Sequence, residues 1–119
     1  MATAAGALLS HPALLFPSNF APHRRRWYTK ALATPGELAL TGPYLDPSGA
    51  GHIVTLSRAL LVKAKNGKQR VFGVAAIDVT PAFLLSLLAT EVRLCRTKGM
   101  QCLLLSESGY VLGTGNPEG

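Results

Sequence analysis

The chain has few cysteines, few charges and no long apolar run. Its 119 residues include 2 cysteines, too few for a disulfide scaffold, and no neighbouring cysteine or histidine completes a zinc site. No stretch approaches the roughly 20 apolar residues that a membrane-spanning helix needs. Charged residues make up 15% of the chain against 48% hydrophobic residues, which excludes a disordered tail and is enough for one domain with a core.

Acidic residues are the scarcer charge. The chain has 6 Asp and Glu against 12 Lys and Arg, a formal charge of +6. Such a charge attracts polyanions without specificity, so a basic adaptor is an alternative function. The basic residues are dispersed, and no DNA- or RNA-reading motif accompanies them. No specific nucleic-acid partner is therefore predicted.

The segment Arg24–Tyr28 is the most informative part of the chain, because it places three arginines beside a tryptophan and a tyrosine. A guanidinium fits a carboxylate, and rigid aromatic rings can wall a ligand of amino-acid size. The segment is typical of a small-molecule pocket. A solvated basic turn is the simpler alternative.

Two elements are predicted in the first half of the chain. Helix formers occupy Arg26–Ala33, and Pro35-Gly36 provides a stop signal. Residues Glu37–Thr41 then predict a short strand. The glycines and prolines that follow, between 42 and 51, are typical of turns.

A hairpin is the strongest local prediction. Two β-rich runs, His52–Lys65 and Lys68–Val79, are joined by Asn66-Gly67, a pair that favours a type I′ turn. The arms should form neighbouring antiparallel strands.

The remainder predicts a helix and a second pair of strands. Thr80-Pro81 supplies an N-cap and a first-turn proline, and apolar residues follow at near-helical spacing, so this helix should pack on another element. Short strands are predicted over Gln101–Leu105 and Tyr110–Leu112. The order of elements indicates an α+β fold with an antiparallel sheet.

Four motifs in this order resemble Cache domains, the PAS-like modules of extracellular sensing proteins: Arg25-x-Trp27-Tyr28, Gly42-Pro43-Tyr44-x-Asp46, Ile53-Val54-Thr55-x-Ser57 and Gly73-Val74-x-x-x-Asp78. Within that family, the stretches around Tyr44, Ile53 and Cys102 are most similar to the group of VWFA-and-cache-domain-containing proteins and alpha-2/delta subunits of voltage-gated calcium channels. The resemblance covers residues 20 to 112.

The resemblance implies a ligand site. In Cache domains that bind amino acids, the matching positions imply Arg25 and Trp27 at the ligand carboxylate, Tyr28 and Tyr44 as walls, and Asp78 at the ammonium group. A zwitterion needs one fixed cation and one fixed anion, and an acid in an apolar strand costs free energy unless it is paired. The family has a tyrosine where this chain has Phe20, so one hydroxyl is missing from the site's edge.

Simpler structural roles stay open for these residues. Trp27 can be a core anchor, Asp78 can cap the following helix or pair with a lysine, and Asp46 is expected to form an Asx-type turn with Ser48 and Gly49. Each of the three histidines is expected at the surface, and none lies in a nucleophile arrangement. No enzymatic activity, metal or cofactor is predicted.

The resemblance also implies an organisation and a context. Residues 1–19 are expected to form an irregular lead-in, 20–94 a partial first Cache module and 95–119 the start of a second. The expected fold is an α+β, PAS-like Cache module. The expected location is the extracellular face of the plasma membrane, within a larger membrane-anchored protein.

The implied partners are an amino acid and a pore-forming calcium channel subunit. The chemoreceptor type of amino-acid sensor is a further alternative. Cys95 and Cys102 are either two buried apolar residues or a disulfide, and the resemblance to extracellular proteins favours the disulfide.

Overall fold

The computed structural model of the chain describes residues 1–3, 8–11, 13, 16, 19–47, 49 and 51–115. The chain divides into two compact units, Met1–Asp78 and Val79–Gly119. The α-helices and strands are α1 (Arg26–Ala33), β1 (Ala39–Leu45), β2 (His52–Lys63), β3 (Gln69–Val79), α2 (Pro81–Glu91), β4 (Cys102–Leu105) and β5 (Val111–Gly115), with short 3-10 helices at Pro22–Arg24 and Arg93–Arg96. The predicted α+β architecture with antiparallel pairing is confirmed.

The sheet of the first unit has the order β1-β2-β3. Strand β1 pairs antiparallel with β2, with Thr41 opposite Thr55, and the register shifts between Thr41 and Tyr44. The strand predicted over Glu37–Thr41 starts two residues later and runs further than expected: β1 begins at Ala39 and continues through Gly42-Pro43. A proline lacks an N–H donor, so an edge strand with a bulge accommodates it.

The connection between β2 and β3 differs from the type I′ prediction. That turn needs positive φ at both central residues, but here Gly67 has φ +81° and Asn66 does not share the left-handed conformation. The N–H of Gly67 instead donates to the carbonyl of Ala64, and that of Ala64 donates to Lys68. The Asn66 side chain accepts from the Lys68 N–H at 3.0 Å, so its preference for turns is satisfied by a side-chain bond.

Helix α1 covers one face of the sheet and has the predicted bounds. It contacts β1 and β2, and its buried residues Trp27, Tyr28 and Ala31 form a core cluster with Ala2 and Val74. Two polar contacts also join helix and sheet. The hydroxyl of Ser57 donates to the Trp27 carbonyl at 2.7 Å, and Nζ of Lys30 donates to the Leu40 carbonyl at 2.6 Å. The orientation of α1 therefore depends on hydrogen bonds as well as apolar packing.

The first residues take part in the sheet of this unit. Ala2 is fully buried and exchanges two backbone hydrogen bonds with Val74 of β3, at 2.9 and 2.7 Å. The approach depends on Gly73, where a Cβ would lie 2.6 Å from the Ala2 carbonyl oxygen. Sequence reasoning missed this pairing because it expected an irregular lead-in here.

The second unit contains the predicted helix and strand pair. Thr80 caps α2 by accepting a hydrogen bond from the Phe83 N–H at 3.1 Å, as its position predicted. Strands β4 and β5 are antiparallel, and α2 contacts β5. None of the α2 residues is fully buried, although the apolar spacing predicted a packed helix.

A disulfide links Cys95 to Cys102 in this unit. It decides between the two states that the sequence left open for this cysteine pair.

Within the described part of the chain, no helix has the length and apolarity needed to cross a membrane.

Candidate functional site

Arg25 stands at the N-cap position of α1, with extended backbone angles. Its guanidinium carbon lies 5.5 Å from the ring centroid of Phe20 and 5.8 Å from that of Tyr44, within the range of cation–π contact. Arg25 is half-buried, whereas the flanking Arg24 and Arg26 are exposed. The structure therefore separates one arginine of the predicted triplet from the other two and holds it against aromatic rings.

Tyr44, Thr55 and Asp78 form a hydrogen-bonded chain across the three strands. The Tyr44 hydroxyl contacts Oγ1 of Thr55, and the same Oγ1 donates to Oδ1 of Asp78 at 2.7 Å. An ionised carboxylate only accepts, and a threonine hydroxyl has one proton to give. Because that proton goes to Asp78, the Tyr44 hydroxyl is the donor to Thr55.

The electrostatics of the site meet at Tyr44. Burial raises the pKa of its phenol, because the phenolate loses stabilising water, and the hydrogen bond with Thr55 lowers it. The carboxylates of Asp78 and Asp46 also raise the pKa, whereas the guanidinium of Arg25 lowers it, as the sign of each charge requires. Tyr44 thus lies within the fields of both charges predicted to hold a zwitterion.

Trp27 and Tyr28 occupy the buried side of the same unit. Their rings meet edge to face at 6.1 Å, and both belong to the core cluster, against which Tyr44 packs. The Tyr28 hydroxyl is buried and has no hydrogen-bond partner among the residues that the structure describes. Both side chains serve as core anchors, and Tyr28 also has a polar atom with unused bonding capacity.

The structure brings Arg25, Tyr44 and Asp78 into one connected group and places Trp27 and Tyr28 in the adjoining core. Asp78 is exposed, and its pairing with Thr55 replaces the expected lysine or cap contact. Ligand contact by these residues stays a prediction. At Asp46, the backbone carbonyl accepts from the Gly49 N–H at 3.0 Å. Ser48, which was also expected in the turn at Asp46, lies outside the described residues.

Sequence reasoning missed Thr55. The residue stands in a motif that carried the resemblance, but threonine is an ordinary strand residue and gives no separate signal of a polar role. Only the pairing of β2 with its neighbours places this hydroxyl between a phenol and a carboxylate.

Comparison with known proteins identifies the family. The model of the CACHD1 central domain matches residues 1–87. Over 117 residues the chain is 33% identical to VWFA and cache domain-containing protein CG16868 of Drosophila melanogaster, covering 94% of this chain but 8% of that protein. The chain thus spans less than a tenth of this relative's length.

Solved structures share the fold. The ligand-binding domain of the Pseudomonas fluorescens chemoreceptor CtaA, in complex with L-isoleucine, is 28% identical with a TM-score of 0.67, over 93% of this chain and 42% of that one. The ligand-binding domain of the Pseudomonas aeruginosa PAO1 amino-acid chemoreceptor PctC, in complex with GABA, is 30% identical with a TM-score of 0.64, over 92% and 45%. With the fold of these Cache ligand-binding domains and a family match over most of its length, the chain belongs to the CACHD1 central domain family.

Proposed function

We propose that the chain is an extracellular Cache-type module that binds an amino acid or a similar zwitterion. The observation that carries this proposal is the linkage of Arg25 to Asp78: the arginine lies on the Tyr44 ring, and the Tyr44 hydroxyl reaches the carboxylate through Thr55. One fixed cation and one fixed anion are thereby presented within a single network. An amino acid carries the complementary pair.

In the proposed binding mode, the ligand carboxylate faces the Arg25 guanidinium and the ammonium faces Asp78. Arginine can bind a carboxylate through two parallel hydrogen bonds, which fixes orientation as well as affinity. Trp27 adds a contact at the carboxylate, and Tyr28 and Tyr44 form walls. The complexes of CtaA with L-isoleucine and of PctC with GABA support this ligand class, because both ligands carry an amino and a carboxyl group.

Binding without catalysis is the proposed mode of action. No bond of the ligand needs to break for a sensing module to act; the ligand has only to bind one conformation better than another. The exposed position of Asp78 leaves its carboxylate accessible to such a ligand.

Calorimetry on the full chain with a panel of amino acids and GABA tests the ligand. The change of Arg25→Ala or Asp78→Asn should weaken binding about 10- to 100-fold, because each removes a charge-assisted hydrogen bond. Arg24→Ala is the matched control, since Arg24 is an exposed neighbour of the same charge. Equal losses in Arg24→Ala and Arg25→Ala, or no binding by the unaltered chain, would contradict the proposal.

We further propose that the module belongs to an alpha-2/delta-like auxiliary protein that regulates voltage-gated calcium channels. The similarity to a VWFA and cache domain-containing protein supports this context. Whole-cell calcium currents with the full-length protein, unaltered or carrying Arg25→Ala, test it. Currents that do not respond to co-expression would leave the chemoreceptor-like sensing role and remove the channel role.

A further inference from the structure

Thr55 occupies the centre of the candidate site although no ligand role is predicted for it. It lies on β2, the middle strand of the sheet, and its side chain is fully buried. Its single hydroxyl contacts Tyr44 of β1 and Asp78 of β3. It therefore connects the strand whose tyrosine meets Arg25 with the strand that carries the acid.

The direction of these bonds gives Thr55 a specific effect. Its proton is donated to Asp78, so one carboxylate oxygen is held while the residue as a whole stays exposed. Its lone pair accepts the Tyr44 proton, and Tyr44 in turn lies against the Arg25 guanidinium. A valine of the same shape would fill the space without either bond, leaving the exposed acid free to rotate.

We propose that Thr55 is a positioning residue that holds Asp78 and Tyr44 in a fixed relation and so sets the charge separation accepted in a ligand. This inference rests on the proposed amino-acid site. An α-amino acid carries its ammonium and carboxylate on one carbon, whereas three methylenes separate them in GABA. A site with a fixed separation discriminates between the two, and a site with a loose acid discriminates less.

Thr41 provides a matched control. It stands directly opposite Thr55 in the β1–β2 register, and its side chain is also buried. Its hydroxyl has no hydrogen-bond partner within the described part of the chain. Thr41→Val and Thr55→Val therefore make the same change on the same face of the sheet, but only the second removes the proposed function of the hydroxyl.

The first experiment needs no ligand. Urea unfolding of the full chain measures whether Tyr44→Phe and Asp78→Asn change the free energy of unfolding independently. If Thr55 connects the two side chains, these changes are non-additive when made in the unaltered chain or together with Thr41→Val. They become additive when made together with Thr55→Val. Coupling that persists in Thr55→Val overturns the proposal.

The second experiment measures affinity for L-isoleucine and for GABA by calorimetry. Thr55→Val should bind its better ligand about tenfold more weakly and should discriminate less between the two, while Thr55→Ser should restore the discrimination because it restores the hydroxyl. The proposal is overturned if Thr55→Val and Thr41→Val lose the same affinity as each other, both for L-isoleucine and for GABA. Absence of binding by the unaltered chain overturns the proposed function instead, and the unfolding cycle then decides the positioning role by itself.

Discussion

The guanidinium carbon of Arg25 lies 5.8 Å from the centre of the Tyr44 ring. This contact joins the start of α1 to the edge strand β1 and places a permanent positive charge beside a phenol whose pKa is raised by burial. The Asp78 carboxylate shifts the pKa of the same phenol in the direction opposite to Arg25. A titration of Tyr44 is therefore sensitive to both charges of the proposed site.

The pKa of Tyr44 should respond in opposite directions to the two charges. In Asp78→Asn it should fall, because removal of a nearby anion makes the phenolate less costly; in Arg25→Ala it should rise, because a stabilising cation is lost. Ring resonances followed by NMR during alkaline titration measure both shifts. Arg24→Ala should leave the pKa unchanged, and a shift there as large as in Arg25→Ala would contradict the assignment.

Ser57→Ala should destabilise the packing of α1 on the sheet by about 1 kcal/mol, the usual net value of a buried hydrogen bond. The Ser57 side chain is 1% exposed and donates to the Trp27 carbonyl at 2.7 Å. Thr29→Ala is the control, because Thr29 makes a similar bond to the Arg26 carbonyl at an exposed position. Urea unfolding compares the two, and an equal cost would show that burial does not matter here.

Gly73→Ala should cost about 1 to 3 kcal/mol, the range for overpacking, because the added methyl would meet the Ala2 carbonyl oxygen at 2.6 Å. Backbone cannot yield as a flexible side chain does. Hydrogen exchange of the Val74 amide, which bonds to Ala2, should quicken. In a chain that lacks residues 1–9 the same substitution should cost little, and an unchanged cost there would place the clash elsewhere.

Replacing both Cys95 and Cys102 by serine should destabilise the second unit by about 2 to 3 kcal/mol, because the bond closes a short loop in the unfolded chain. Hydrogen exchange of β4 and β5 measures the effect. A reductant should reproduce it in the unaltered chain and do nothing to the double variant. An equal acceleration of hydrogen exchange in β1 and β2 would contradict a local role of the disulfide.

Much of the fold was predictable from local signals. The bounds of α1 and the cap at Thr80 followed from stop and capping residues, which act within a few positions. The hairpin arms were also correct, but the turn type at Asn66-Gly67 was not, because Asn66 takes a side-chain bond to Lys68 in place of positive φ. The division into a first module over 20–94 and a second from 95 stays a prediction.

The residue types of the candidate site could be read from the sequence, because an arginine, an aspartate and aromatic rings supply the cation, the anion and the walls that the resemblance implies. Which of these side chains meet depends on the tertiary structure. The selection of Arg25 over Arg24 and Arg26 depends on the helix start that turns one side chain toward Tyr44. The role of Thr55 depends on strand pairing between residues 11 and 23 positions apart, which no local pattern encodes.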